Sequence, residues 1–215
     1  MTLGVLGGTF DPIHNGHIAA ADAAQRLLDL DTIMLVPSRI PPHRRDPVGA
    51  TGEQRLAMAQ LAANERLRWV ASRIEIDREG PSYTYDTLAE LREQFPGTQI
   101  FFILGADAFA EIATWSRYPA VLGLANFVVV SRPGITLDSL RERVPSAFEH
   151  RAPCPPSQLR DLGSEERRVI LVEANTPDVS ATEIRHRVRA GYSLADIVPA
   201  SVAAYIQAHR LYLGH

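Results

Sequence analysis

Six short apolar runs punctuate this chain: "LGVLGG" (3–8), "TIMLVPS" (32–38), "WVASRIEI" (69–76), "QIFFILG" (99–105), "NFVVVSR" (126–132) and "RVILVE" (168–173). Each is aliphatic or β-branched and bounded by Gly, Pro or polar positions. Their apolar character is continuous rather than alternating, which predicts strands covered on both faces and hence a parallel sheet. Helix-periodic stretches lie between them. Residues 17–28 carry Ile18, Ala21, Leu27 and Leu28, and 84–94 carry Leu88 and Leu91. In 53–63, Leu56, Ala59 and Leu61 follow a cap at Thr51 with Gln54 three positions on. "SATEIRHRVRAG" and "PASVAAYIQAHRLY" make 178–215 helical. Strand–helix alternation implies right-handed crossovers and an open, doubly wound, mainly parallel α/β sheet with helices on both faces, in a single domain. Ligands of such sheets sit at the carboxyl ends of the strands.

Two stretches break the rhythm. "SRIPPHRRDPVGATG" (38–52) is too long and too rich in Pro, Gly and Arg for a simple turn, and reads as a binding loop. "PSAFEHRAPCPPSQLRDLGSEER" (145–167), with four prolines and many charges, reads as an exposed excursion without an assigned role. At 215 residues, 46% hydrophobic and 22% charged, the chain is an ordinary globular protein. Its formal charge of −3 argues against a general nucleic-acid-binding surface while leaving room for a local basic pocket. Cys154 is the only cysteine, which excludes an internal disulfide and a cysteine zinc site. No apolar run approaches the ~20 residues of a membrane span, and the N-terminus opens directly into a strand pattern. The expectation is a cytoplasmic, reducing location with no membrane partner. A homo-oligomer is left open.

Candidate chemistry concentrates in "GGTFDPIHNGH" (7–17), at a strand-to-helix junction. Gly7 and Gly8 are expected to let the backbone turn sharply and approach a ligand. A helix start carries partial positive charge and attracts anions. If the helix begins near Asn15 or Gly16, His14 and His17 share one face and both imidazoles point at that anion. A phosphate there would favour their protonated, doubly donating form. Two histidines near Asp11 also suit a metal, but that reading leaves Gly-Gly and the helix start unexplained. The plainest alternative is a glycine turn with incidental surface histidines.

A second helix start changes the balance. In "DVSATEIRHRV" (178–188), Ser180 and Glu183 have capping-box spacing, Ser180 and Thr182 offer hydroxyls, and Arg185 is placed to clamp phosphate oxygens. Two anion-binding helix starts suggest a triphosphate rather than a single phosphate. His150, His186, His209, His215 and Cys154 carry no functional reading.

"GGTFDPIHNGH" resembles the G-x-F-D-P-x-H-x-G-H signature of the nucleotidylyltransferase superfamily, and "SATEIR" resembles its second motif. "PPHR" (41–44), "GPSYTYDTL" (80–88), "GADAFAEIATW" (105–115) and "SRPG" (131–134) narrow the resemblance to the bacterial nicotinate-nucleotide adenylyltransferases, over essentially the whole chain. The resemblance implies a Rossmann-like fold and transfer of the adenylyl group of ATP to nicotinate mononucleotide, with substrate-bound Mg²⁺. It implies that Gly7, Gly8, Thr9 and Phe10 line the nucleotide turn, and that His14, His17, Ser180, Thr182 and Arg185 hold the triphosphate. Gly105 and Asp107 would meet the adenosine. His43 and Arg44 would close over phosphate, Thr84 would read the nicotinate carboxylate, and Trp115 would stack on the pyridine. The chain departs from the pattern at Val179, Ala181 and Ile40. Two alternatives remain at this point: another acceptor, such as a pantetheine phosphate, or a non-catalytic nucleotide sensor.

Overall fold

The computed structural model describes residues 1–42, 49–131, 136–148 and 167–213. The elements run β1 (Thr2–Gly8), α1 (Asn15–Leu28), β2 (Thr32–Pro37), α2 (Gly52–Asn64), β3 (Trp69–Ala71), α3 (Ile74–Asp77), α4 (Thr84–Gln94), β4 (Gln99–Gly105), α5 (Ala106–Ala110), β5 (Asn126–Ser131), α6 (Leu137–Arg143), β6 (Val169–Glu173), α7 (Ala181–Arg189) and α8 (Ala200–Ala208). The strands form one six-stranded sheet in the order β3-β2-β1-β4-β5-β6. This is the doubly wound order expected from the alternation, and it reverses between β1 and β4. Contacts cluster the chain into two compact units, each assembled from separated stretches. One comprises Met1–Gly7, Ala20–Ile33 and Tyr83–Asn175. The other comprises Gly8–Ala19, Met34–Ser82 and Thr176–His215.

In the first unit β1, β4, β5 and β6 pair in parallel, with Leu3 opposite Ile100, Phe102 opposite Phe127 and Val129 opposite Leu171. Every residue of β5 is buried, so both its faces are covered, as the continuous apolar run required. Leu88 and Leu91 of α4 are wholly buried. The expected face of α1 shifts at its end, where Leu28 is only partly buried. Ala21 and Ala24 are buried, while Leu27 is 49% exposed, because Leu30 beyond the helix end takes the core place.

In the second unit α2 begins as read. Thr51 Oγ1 accepts from the Gln54 N–H at 3.2 Å, and Gln54 Oε1 accepts from the Thr51 N–H at 2.9 Å. Its buried face differs from the expected one. Leu61 is only partly buried, and the long side chain that is wholly buried beside Leu56 and Met58 is Arg55. The run 69–76 is a strand only to Ala71. At Arg73 the guanidinium pairs with Glu53 at 2.8 Å and with Asp77, four residues on, at 3.0 Å. The i, i+4 pair with Asp77 supports a helical turn over α3, and β3 itself lies at an end of the sheet with Val70 44% exposed. Of the excursion 145–167, residues 149–166 lie outside the described residues.

Candidate active site

The motif after β1 begins with a correction. Gly7 and Gly8 are strand residues without positive φ, and the left-handed residue of the turn is Phe10, with φ 50°. Gly8 is required by close approach: a Cβ there would stand 2.8 Å from the Phe10 ring. That ring, 1% exposed, meets the His17 imidazole edge-on at 5.0 Å and braces it.

α1 starts at Asn15, so the His14 carbonyl accepts the first helical bond, from Ile18 N–H at 3.2 Å, and His17 ends the first turn. The i, i+3 spacing stacks the two imidazoles, with centroids 3.7 Å apart and planes 26° from parallel. His17 Nδ1 accepts from the His14 backbone N–H at 3.3 Å, which leaves Nε2 as its donor. Burial pushes His14 down to about 4. Burial first, and then the neighbouring His14, holds His17 well below its ordinary range. In the absence of an anion burial favours the neutral form of both rings, and the protonated, doubly donating form expected beside a phosphate depends on that anion being bound.

This depression has a sign. Between the ordinary 6.5 and about 4 the unfolded chain binds the His14 proton and the folded chain does not. His14 thus costs no stability above about pH 6.5, and stability falls by about 3 kcal/mol as the pH drops towards 4. Urea titrations across this window are expected to show a shallower acid loss for His14→Gln than for the natural protein. Equal slopes would show the assignment to be wrong.

The second motif supplies the opposite wall. Ser180 caps α7, its Oγ accepting from the Glu183 N–H at 3.1 Å. The box is half formed, because Glu183 Oε1 accepts from Arg187 Nε at 3.0 Å instead of closing back on Ser180. Thr182 Oγ1 accepts from Arg185 Nη2 at 3.1 Å. Both hydroxyls keep their own hydrogen to donate. Arg185 Nη1 donates to the Asp11 carbonyl at 2.8 Å and lies 3.6 Å from Asp11 Oδ2. Thr9, Phe10, His14, His17, Ser180, Thr182 and Arg185 line a single cleft of about 450 Å³ in this unit. Two imidazoles, two hydroxyls, a guanidinium and two helix starts suit a polyanion of several phosphates.

Arg55 and Tyr212 of this unit escaped the reading of the sequence, and Asp11 was read only as a neighbour of a histidine metal site. Arg55 donates to the carbonyls of Thr9 at 2.7 Å, Ser38 at 2.6 Å, Arg39 at 3.2 Å and Ala50 at 3.3 Å. The Asp11 carboxylate accepts from the Gly49 N–H at 2.9 Å, the Ala50 N–H at 3.0 Å and the Tyr212 hydroxyl at 3.0 Å. Among the described residues no group of three or more His, Cys, Asp or Glu side chains is placed to hold a metal ion. The only signal available was the aspartate inside the first motif, and its partners are distant in sequence.

In the other unit Gly105 ends β4, and a Cβ there would meet nothing within 4 Å. Asp107 is exposed in the first turn of α5. Thr84 opens α4, whose cap residue Tyr83 makes no side-chain capping bond, while the Asp86 and Thr87 N–H groups donate to the Tyr83 carbonyl at 3.1 and 3.2 Å. Trp115 follows a 3₁₀ turn and meets Phe102 edge-on at 6.1 Å. Gly7 lies within β1, and His43 and Arg44 lie outside the described residues.

A family model for cytidylyltransferase-like proteins matches residues 5–187. A protein of Geobacter sp. strain M21, named as a probable nicotinate-nucleotide adenylyltransferase, is 38% identical over 213 residues, covering 99% of each chain. One of the same name from Thermus thermophilus is 40% identical over 212 residues, covering 99% of this chain and all of the other (100%). The Plasmodium falciparum nicotinic acid mononucleotide adenylyltransferase complexed with NaAD matches with a TM-score of 0.72 at 18% identity, over 98% of this chain and 97% of that one. At that identity the likeness is one of fold.

Proposed function

This chain belongs to the cytidylyltransferase-like family and within it to the nicotinate-nucleotide adenylyltransferases, and on that premise we propose that it joins ATP to nicotinate mononucleotide, giving nicotinate adenine dinucleotide and pyrophosphate in NAD biosynthesis. The observation that carries this reading is the meeting of two helix starts, α1 and α7, at one cleft bearing His14, His17, Ser180, Thr182 and Arg185. A nucleotide sensor needs no such surround for the leaving pyrophosphate. We read 1–215 as one nucleotidylyltransferase domain acting in the cytoplasm. No helix among the described residues is long and apolar enough to cross a membrane.

The acceptor's 5′-phosphate oxygen attacks the α-phosphorus of ATP. A P–O bond forms, the bond to the β-phosphate oxygen breaks, and pyrophosphate leaves with the electron pair. The nucleophile is already ionised, so no general base is needed, and the barrier is the approach of like charges. His17 and His14 stabilise charge on the α-phosphate and the leaving group, and Arg185, Ser180 and Thr182 hold the β- and γ-phosphates. Asp11 is occupied by Gly49, Ala50, Tyr212 and Arg185, so Mg²⁺ arrives on ATP oxygens and water as part of the substrate. Gly7, Gly8, Thr9 and Phe10 shape the nucleotide turn, while Gly105 and Asp107, where the sheet order reverses, meet the adenosine. His43 and Arg44 meet phosphate.

Acceptor choice rests on α4 and Trp115. First-turn N–H groups at Thr84 offer donors to a carboxylate, and Trp115 offers a face to the pyridine. A carboxylate accepts at both oxygens, whereas an amide presents N–H₂ to one donor. Pyrophosphate release is therefore expected to be at least ~10²-fold higher in kcat/KM with nicotinate mononucleotide than with its amide. Equal values would refute the acceptor assignment, and no pyrophosphate with either would favour the sensor.

A further inference from the structure

The C-terminal turn is tied to the phosphate cleft through one buried carboxylate. The Tyr212 hydroxyl donates to Asp11 Oδ1 at 3.0 Å, and the Asp11 main chain and side chain hold Arg185 at 2.8 and 3.6 Å. Asp11 also fixes Gly49 and Ala50, the return end of the 38–52 loop, through two backbone N–H groups. The packing is close as well. A Cβ on Gly49 would stand 2.9 Å from the Tyr212 ring and 3.3 Å from Arg185 Cδ. Tyr212 itself has φ 65°, a left-handed conformation unfavourable for an aromatic residue, and Arg210 has φ 52°. Such a conformation persists only where its surroundings over-determine it.

We propose that Tyr212 is a positioning residue for nucleotide binding: through Asp11 it sets the Arg185 guanidinium and the 49–50 backbone against the phosphate cleft. This rests on the reading of that cleft as the ATP site. Without the hydroxyl, Asp11 loses one of its donors and draws harder on Arg185, turning the guanidinium away from an incoming phosphate. Burial, and then the Asp11 charge, holds the phenol well above its ordinary range, so it remains a donor throughout the working pH range.

The test is equilibrium binding of a non-hydrolysable ATP analogue, without acceptor, to the full chain and to Tyr212→Phe. The variant keeps the ring and removes only the hydroxyl. Affinity is expected to fall about tenfold, while KM for nicotinate mononucleotide stays within about twofold. In an Arg185→Lys background the same change is expected to add less than about twofold, because both act through one contact. Gly49→Ala, which crowds Tyr212 and Arg185 without removing a donor, is expected to weaken the analogue in the same way. It serves as the deciding variant should Tyr212→Phe fail to fold in a thermal melt. Unchanged analogue affinity in the folded variants, or fully additive losses with Arg185→Lys, would overturn the proposal. A natural protein that binds the analogue but releases no pyrophosphate would instead overturn the transferase reading.

Discussion

Replacing His17 with alanine is expected to lower kcat by more than about 10²-fold, with a much smaller change in KM for ATP. The reason lies in how the ring is held. Its Nδ1 is occupied by the His14 backbone N–H at 3.3 Å, and its flank rests on the Phe10 edge at 5.0 Å. Nε2 is thus a preorganised donor, neutral until negative charge arrives. A donor of this kind contributes most when charge builds up on the reacting phosphate and least to the resting substrate, whose binding is proposed to rest on Arg185 and the helix starts. Losing one such donor typically costs about 3 kcal/mol of transition-state stabilisation. His14 should matter less, because its Nδ1 is buried inside the protein and its backbone serves the helix cap. The measurement is steady-state pyrophosphate release with a thermal melt alongside. Turnover near that of the natural protein, in a folded variant, would remove His17 from the mechanism.

The parts of this architecture that were legible in the sequence are those whose cause is local. A fully covered strand needs an unbroken apolar run, and β4 and β5 follow theirs. Thr51 with Gln54 marks a helix start because the two bonds close within one turn. The helix starts marked by the two motifs were legible for the same reason, and the structure brings their residues to one cleft. What escaped depends on distance. Spacing shows that His14 and His17 share a face, but not that their rings stack 3.7 Å apart or that burial lowers the pKa of both when no anion is bound. The turn after β1 was assigned to Gly7 and Gly8, yet the bend is at Phe10, where packing overrides the propensity of an aromatic residue. Partners of Asp11 lie 38, 39, 174 and 201 positions away, and no local pattern reports them.

Arg55 is the largest of these omissions, and its replacement by methionine is expected to destabilise the folded chain by about 4 kcal/mol. An arginine at a helix position ordinarily reads as a solvated charge with an apolar stem. Here the whole side chain is 1% exposed, and its forked N–H groups reach four carbonyls from three segments: Thr9 in the first motif, Ser38 and Arg39 where the 38–52 loop leaves, and Ala50 where it returns. Methionine fills much of the same volume but donates nothing, so the Thr9, Ser38, Arg39 and Ala50 carbonyls lose these bonds, those at Ser38 and Ala50 in buried surroundings. Each charge-assisted bond is worth about 1.5–3 kcal/mol, and the relief of not burying a charge offsets part of the sum. For a chain of this size about 4 kcal/mol corresponds to a fall in Tm of about 10 °C. Lysine would rescue little, because a single ammonium cannot span carbonyls that a planar fork reaches together. Urea and thermal unfolding decide the matter. A loss below about 1 kcal/mol for Arg55→Met would mean that the carbonyls find other donors and that the loop ends and the first motif do not depend on this clamp.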